Sequence, residues 1–437
     1  MIVYFRRQMK NPFCSVAVSV FIQLLPFALF AQNSTDSIRV DDAADILNFL
    51  SSDQLKGRGN FTPELIDAGK FISDKFKEYG LQPFPGNLSF YQPFNASNSK
   101  NLNRDNLVWN GKTLDQSQFL YLTSEMMPET KTLIDFHVVE YNGAFTDSIY
   151  FAHWMDSTNT LILLKQIQSN HWQDSLGRFP LAASPPAKSI LFVSSSESPE
   201  KVMITTNREY KKNILFNIIG VLPGSTKPNE IVIFSAHYDH LGLIPSPGDD
   251  IYNGANDDAS GTTALLLLAK YFAMRNDNGR TLFFCAFAGE ELGLLGSTFL
   301  ASKLKPDHIQ VMINIEMIGK TNVTGANSFF VTGARFSTVE KIMKRNLQST
   351  SIKVFPDPET GHLFFRSDNF PFAQKGVPAH SIMCSDDNDE CYHQPCDEAR
   401  SIDIENMTRV VRAIALSSLS MIRGDDTPSR INGNQLR

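Results

Sequence analysis

Hydrophobic and polar positions along the 437-residue chain fall into three textures. Residues 41–50 have the spacing of a helix. Thr62 is a candidate N-cap with Pro63 at the first helical position. Leu65, Ala68, Ile72, Phe76 and Tyr79 then recur on one face until Gly80 ends the second helix. The residues between these helices, 55–59, are rich in turn formers. From about 89 to 212 short β-like runs (119–122, 132–139, 161–164 and 189–193) alternate with polar turns, which predicts a mostly β stretch. From 213 onward apolar strands alternate with helices. Strands are predicted at 213–222, 231–236, 280–288, 309–318, 328–332 and 377–383. Helices are predicted at 259–273, 292–304, 337–347 and 404–422. Strands that are apolar throughout need cover on both faces. The expected fold class is therefore α/β: a mixed, mostly parallel sheet with helices on both sides.

The start of the chain reads differently. Arg6, Arg7 and Lys10 precede an apolar run over 13–31, interrupted by Gln23 and Pro26 and followed by polar residues 34–36. A basic start, a short apolar run and a small residue before polar sequence predict a secretory signal over 1–31, cut after Ala31. The alternative is an uncleaved anchor. The expected location is exported, periplasmic or extracellular, with no stable membrane insertion once the signal is removed. A 42% hydrophobic and 20% charged composition excludes wholesale disorder. The net charge of −6, which becomes −9 once the three bases of 1–31 are gone, makes nucleic acid a poor partner. Beyond the signal lie Cys285, Cys384, Cys391 and Cys396. Cys285 sits in an apolar run and reads as a buried thiol, while spacing does not select a pair among the other three.

Candidate chemistry collects where strands end. The strand over 231–236 runs into His237-Tyr238-Asp239-His240. The helix at 259 follows Gly254-Ala255-Asn256-Asp257-Asp258. The strand over 280–288 runs into Gly289-Glu290-Glu291, the next reaches Glu316, and Tyr392-His393 follows the last. Ligands of open α/β sheets bind beyond the carboxyl ends of the strands. Singly these signals are weak: His-x-Asp pairs are common, and Asp257-Asp258 could merely cap a helix. Together they predict one shared site. Converging carboxylates without a cation would repel and raise one another's pKa values. Imidazole and carboxylate are zinc donors, and a bridging carboxylate suits two ions about 3.5–4 Å apart.

With these residues in view, the sequence resembles the co-catalytic zinc aminopeptidases of metallopeptidase family 28, which include glutamate carboxypeptidase II-like enzymes. The matching segments are His237-Tyr238-Asp239-His240-Leu241-Gly242, Gly254 to Gly261, Ala288-Gly289-Glu290-Glu291-Leu292-Gly293, Asn314 to Gly319 and Tyr392-His393-Gln394-Pro395. The resemblance is strong over 213–422 and extends to 50–83. It implies a zinc exopeptidase-like fold with one peptidase domain formed by 32–88 and 213–424 and a mostly β insertion at 89–212 of protease-associated type; the polar composition of 425–437 predicts a flexible tail. The resemblance also implies two zinc ions. His237 and Glu316 bind one, Glu291 and His393 bind the other, and Asp257 bridges them. Asp239 orients the His237 imidazole, Glu290 is the general base, and Tyr392 steadies the oxyanion. A cis peptide is expected at Asp257–Asp258. The chain departs from many members at Glu316, where they carry Asp, and at Ser367-Asp368-Asn369, where they read Ser-Asp-His. A glutamate at 316 reaches farther and is expected to offer one or both oxygens.

The implied reaction is hydrolysis of a peptide or protein substrate, most simply removal of N-terminal residues, with water activated by Glu290. Two alternatives come from other classes: a glutaminyl cyclase-like acyltransferase with one zinc, and a non-catalytic, peptidase-like binding ectodomain. Residue preference, the choice among aminopeptidase, dipeptidase and carboxypeptidase, and oligomeric state are not encoded in these motifs.

Overall fold

A computed structural model describes residues 35–100, 105–123, 129–142, 158–165, 189–206, 209–244, 248–322, 324–357 and 362–436. The signal expected over 1–31 lies outside the described residues. Among those residues, no helix is long and apolar enough to cross a membrane.

The central sheet has nine strands: β1 (Gln82–Pro83), β2 (Tyr91–Lys100), β3 (Glu209–Leu222), β4 (Lys227–His237), β5 (Arg280–Phe287), β6 (Ile309–Ile315), β7 (Ser328–Val331), β8 (Lys353–Pro356) and β9 (Ala379–Met383). Their order is β1-β3-β5-β4-β6-β9-β7-β8, with β2 also paired to β3. The run β5-β4-β6-β9 is parallel. Apart from the parallel edge pair β7–β8, the flanks are antiparallel. The sheet is mixed, as expected, with its parallel run at the centre.

Side chains of a strand alternate between faces, and each face here has its own core. Val232, Phe234 and Ala236 of β4 and Leu282, Phe284 and Ala286 of β5 join one apolar cluster. Their neighbours Ile231, Ile233, Phe283, Cys285 and Phe287 join another. Helices α1 (Val40–Leu50), α2 (Pro63–Glu78), α3 (Ser260–Arg275), α5 (Val339–Asn346) and α7 (Ile404–Arg423) cover the first face. The second is covered by α4 (Leu295–Lys303) and the short α6 (Phe370–Ala373). Helix α2 begins as its sequence predicts: the Thr62 hydroxyl accepts from the Leu65 N–H at 3.3 Å, and Leu65, Ala68, Ile72 and Phe76 are buried. The apolar α3 lies almost wholly inside, which explains why little polar sequence interrupts it.

Between β2 and β3 the chain forms two small four-stranded sheets. One contains Phe119–Leu122, Ile190–Ser194, Thr160–Leu164 and His137–Tyr141; the other contains Val202–Thr205 with Asn106–Trp109 and Thr130–Thr132. The run expected over 132–139 is broken by a turn at Leu133–Asp135, where the Asp135 carboxylate accepts the Thr132 N–H at 2.6 Å. The expected flexible tail requires a correction. Ile431 is buried in the second core, and the buried Arg280 guanidinium donates to the Asp426 carbonyl and the Thr427 hydroxyl. Polar composition there reflects partners for Arg280, not a chain end free of contacts.

Candidate metal centre

The four central parallel strands deliver their C-terminal ends to one place. His237 closes β4, Glu290 and Glu291 follow β5, and Glu316 follows β6. His393 comes from the loop between β9 and α7, and Asp257 from the turn before α3. Local chemistry sets each departure from the sheet. Strand β6 stops at Ile315, short of the predicted 318, because the Asp258 carboxylate takes the Met317 N–H at 3.1 Å and Met317 turns to φ 49°. The same carboxylate accepts from the N–H groups of Gly261 at 3.0 Å and His237 at 3.3 Å. One buried acid thus joins the ends of β4 and β6 to the start of α3. A Cβ at Gly261 would lie 2.2 Å from the Ile315 carbonyl oxygen, so only glycine allows this approach. Helix α4 begins at Leu295 rather than 292 because residues 290–294 turn first: the Glu290 carbonyl accepts the Gly293 N–H at 2.7 Å, and Leu294 is left-handed.

The donor atoms form two triads around one carboxylate. His237 Nε2 is 3.2 Å from Asp257 Oδ1 and 3.3 Å from Glu316 Oε1. His393 Nε2 is 3.1 Å from Asp257 Oδ2 and 3.4 Å from Glu291 Oε2. Four donors at tetrahedral bonds of about 2.0–2.1 Å lie about 3.3 Å apart. These separations have the length of a tetrahedron edge, and each Asp257 oxygen serves a different triad. The donors therefore fit two zinc-sized cations. His240 Nδ1 also lies here, but at 2.7 Å from Glu291 Oε1 and 3.9 Å from Asp257 Oδ1. The Asp257–Asp258 peptide is cis.

Charge in the site is tightly balanced. Burial works against ionising Asp257, but His240, His237 and His393 outweigh it and hold Asp257 well below the usual carboxylate range. Burial likewise opposes charge on Glu291, and His393 heads the groups that bring it down to about 2. Burial, reinforced by Glu291, Asp368 and Glu316, pushes Glu290 well above its ordinary value. The two adjacent glutamates are thereby separated in character: one is a fixed anion and the other a proton acceptor of raised basicity.

The sequence-derived residues all assemble here, though one contact differs. The His237 Nδ1–H is taken by the Asp239 carbonyl oxygen at 3.0 Å, while the nearest Asp239 carboxylate oxygen stands 3.8 Å away. That carboxylate accepts the N–H groups of Glu290 and Glu291 at 3.2 and 3.3 Å and the Asn60 amide at 2.6 Å. Asp239 thus orients His237 through its backbone and the glutamate pair through its side chain. Tyr392 stacks on His393 at 3.9 Å, and its hydroxyl oxygen accepts from Arg366 at 3.5 Å. Burial pushes its pKa well up, so the hydroxyl keeps its proton. At the departure noted over 367–369, the Ser367 hydroxyl donates to Glu316 Oε2 at 2.8 Å, leaving Oε1 toward His237. Asn369 instead accepts from the Ser381 hydroxyl. Asp368 is buried with neither oxygen hydrogen-bonded, and burial first of all raises it to about 7.

Other contributors carried no signal that sequence reading singled out. Arg58, fully buried, donates to the carbonyls of Leu50, Tyr238, Asn253 and Gly254, tying α1 to both ligand-bearing segments. Asp397 accepts the N–H groups of Asn256 and Asp257 at 2.9 and 3.0 Å and so fixes the backbone of the residue shared by the two triads. The only hint for Arg58 is its place between Gly57 and Gly59. The structure also settles the cysteines: Cys391 pairs with Cys396 around His393, while Cys285 and Cys384 are buried thiols.

Residues 217–418, which contain every donor named above, match the model of peptidase family M28. The matched segment, just under half of the chain, is a peptidase family M28 domain. Among curated relatives, aminopeptidase YwaD of Bacillus subtilis is 27% identical over 232 residues, 49% of this chain and 46% of that protein. A probable zinc metalloprotease of Pyrenophora teres f. teres is 36% identical over 113 residues, 24% of this chain and 22% of the relative. The chain thus spans less than half the length of these curated relatives. Among solved structures, an aminopeptidase from Aneurinibacillus sp. strain AM-1 superposes with a TM-score of 0.56 at 18% identity, covering 91% of this chain and 96% of that one. A zinc aminopeptidase from Bacillus subtilis gives 0.54 at 17% identity, covering 88% and 95%. At these identities the superpositions establish a shared fold.

Proposed function

We propose that this M28 protein is an exported, zinc-dependent exopeptidase, an aminopeptidase that releases N-terminal residues from peptides with two zinc ions bound. The observation that carries this reading is the pair of triads sharing Asp257, each with tetrahedral edge lengths. His237, Glu316 and Asp257 would hold one ion, and His393, Glu291 and Asp257 the other. The names of the relatives, an aminopeptidase and a zinc metalloprotease, support the same reaction class.

Bound zinc supplies Lewis acidity and brings the pKa of water toward neutrality. The chain's own groups do the rest. Glu290, with basicity raised by burial, accepts the proton of the attacking water and returns it to the leaving amine. Asp239 accepts the Glu290 N–H and so fixes the backbone that carries this carboxylate. Tyr392, kept protonated, donates toward the developing oxyanion. A binding ectodomain would have no need for a buried, raised Glu290 beside complete ligand triads. A one-zinc cyclase would leave one triad without purpose. The insertion expected over 89–212 narrows to the two small sheets between β2 and β3, because β2 belongs to the central sheet; we place those two sheets as a protease-associated-like insertion and 1–31 as a removed signal. Intact mass of protein from the native cells should then lack residues 1–31.

The deciding experiment incubates the zinc-reconstituted protein with a peptide library and follows both termini by mass spectrometry. Single residues should leave the N-terminus, and a chelator should abolish release. Release from the C-terminus, or hydrolysis indifferent to chelation, would refute the aminopeptidase reading.

A further inference from the structure

The two terminal carboxylates of the proposed metal pair are held alike: each directs one oxygen to its triad and gives the other to a donor outside it. For Glu316 that donor is the Ser367 hydroxyl at 2.8 Å. For Glu291 it is an imidazole. We propose that His240 is the positioning residue of the second metal position: it donates from Nδ1 to Glu291 Oε1 and leaves Oε2 as the single oxygen Glu291 offers to the ion. The inference rests on the two-metal reading above.

Distance separates this role from that of a ligand. Nδ1 is 2.7 Å from Glu291 Oε1, a hydrogen-bond length, and 3.9 Å from Asp257 Oδ1. Neither matches the edge of about 3.3 Å that two donors on one tetrahedral zinc subtend. The carboxylate is acceptor-only when ionised, so the imidazole is the donor. The ring is also held rigidly, as a positioning group must be. Its side chain is wholly buried, its backbone N–H donates to the Arg58 carbonyl at 3.1 Å, and it meets the His393 ring edge-on at 5.6 Å. It lies against Gly254, where a Cβ would come within 2.5 Å of its Cδ2. Gly254 is left-handed at φ 59°, so this glycine both permits the turn toward Asp257 and leaves room for the ring. The other ring nitrogen, Nε2, is buried with no partner. A site that leaves one nitrogen unsatisfied while engaging the other uses His240 for a single directed bond.

The test compares wild type, His240→Leu and His240→Asn, whose amide nitrogen stands where Nδ1 does. Zinc affinities of the metal-free proteins are read by chelator competition, and cobalt-loaded proteins by visible absorption. The leucine variant should weaken one of two zinc affinities by roughly 10–100-fold and leave the other unchanged. The asparagine variant should recover most of that loss, and both should still load two cobalt ions at saturation. If the leucine variant loads one ion at any concentration, His240 is a ligand and the proposal is wrong. Unchanged affinities in the leucine variant, or an asparagine variant as weak as leucine, would also overturn it. Should the leucine variant fail to fold, His240→Gln, which carries its amide one bond farther out, takes its place with the same expected loss. Wild type binding fewer than two ions would instead refute the two-metal reading itself.

Discussion

His237 and His393 face opposite oxygens of the same Asp257 carboxylate, but the chain holds them by different means. His237 ends a strand flanked on both sides by parallel neighbours, its side chain 2% exposed, its Nδ1 on a carbonyl and its N–H on Asp258. His393 stands in a loop at φ 54°, its side chain 22% exposed, stacked on Tyr392 and enclosed by the Cys391–Cys396 bridge. A left-handed residue other than glycine costs about 1–2 kcal/mol, which surrounding structure must offset. The first half is placed by the sheet itself, whereas the second is placed by a cross-link, a ring stack and a hydrogen-bonded glutamate. Pre-organisation of the two halves is therefore unequal, and under the proposed two-zinc reading the ion held by His393 and Glu291 should be the first to leave.

The largest effect should come from a change that touches neither half. Glu290→Gln removes the proton acceptor and leaves every ligand in place. Turnover should fall by roughly two to four orders of magnitude while two zinc ions remain. Glu291→Gln should lower activity and zinc content together, and from the loop half alone. Turnover and zinc stoichiometry measured side by side in both variants check this. Near-normal turnover of Glu290→Gln with both ions bound would reassign the base.

A smaller effect should follow from opening the loop. Replacing Cys391 and Cys396 by serine frees the segment that carries His393, and outer supports of this kind are worth roughly 10–100-fold in metal affinity. Chelator competition should show one affinity weakened and the other, at His237, unchanged. Equal weakening of both would erase the proposed asymmetry.

The last effect, about tenfold for each unit, is one of pH. Burial opposes charge on His393, but Glu291 and Asp257 outweigh it and raise its pKa to about 10 in the metal-free protein. Zinc must displace that proton, so affinity at this half should rise with pH by roughly tenfold per unit from pH 7 upward. An imidazole at its ordinary value of about 6.5 would have levelled off by pH 8. Zinc titrations at pH 7, 8 and 9 distinguish the two. Calorimetry in buffers of different ionisation enthalpy would count the released protons directly.

Much of this centre was legible before any coordinates. His237, Glu290, Glu291 and Glu316 follow runs whose apolar continuity marks them as buried strands, and ligands gather beyond such strand ends. Asp257 and His393 stand at a helix start and beyond the last strand, and their ligand roles entered through family resemblance. What stayed hidden were the supports. Asn60 and Asp239 meet across 179 residues, Ser367 and Glu316 across 51, and Asp397 and Asn256 across 141. Asn60, Ser367 and Asp397 are ordinary polar residues outside the named helices and strands, where surface solvation is the usual explanation. Likewise, the resemblance implies that Asp239 orients His237, and backbone geometry gives that contact to the Asp239 carbonyl oxygen.

By itself, the sequence determined the main strands and helices from 213 onward, which of their faces would be buried and which titratable groups would stand at the sheet's carboxyl edge, but not the strands β2 and β8. These follow from periodicity, which is local: alternation of two in β4 and β5 names their two cores without knowledge of any neighbour. Only the tertiary structure decided which oxygen of Asp257 faces which histidine, that His240 binds Glu291 rather than joining a triad, that Cys391 pairs with Cys396 and that Ile431 packs inside. Those outcomes depend on the distances between atoms of remote segments, and such distances exist only once strand order and side-chain packing have been set together.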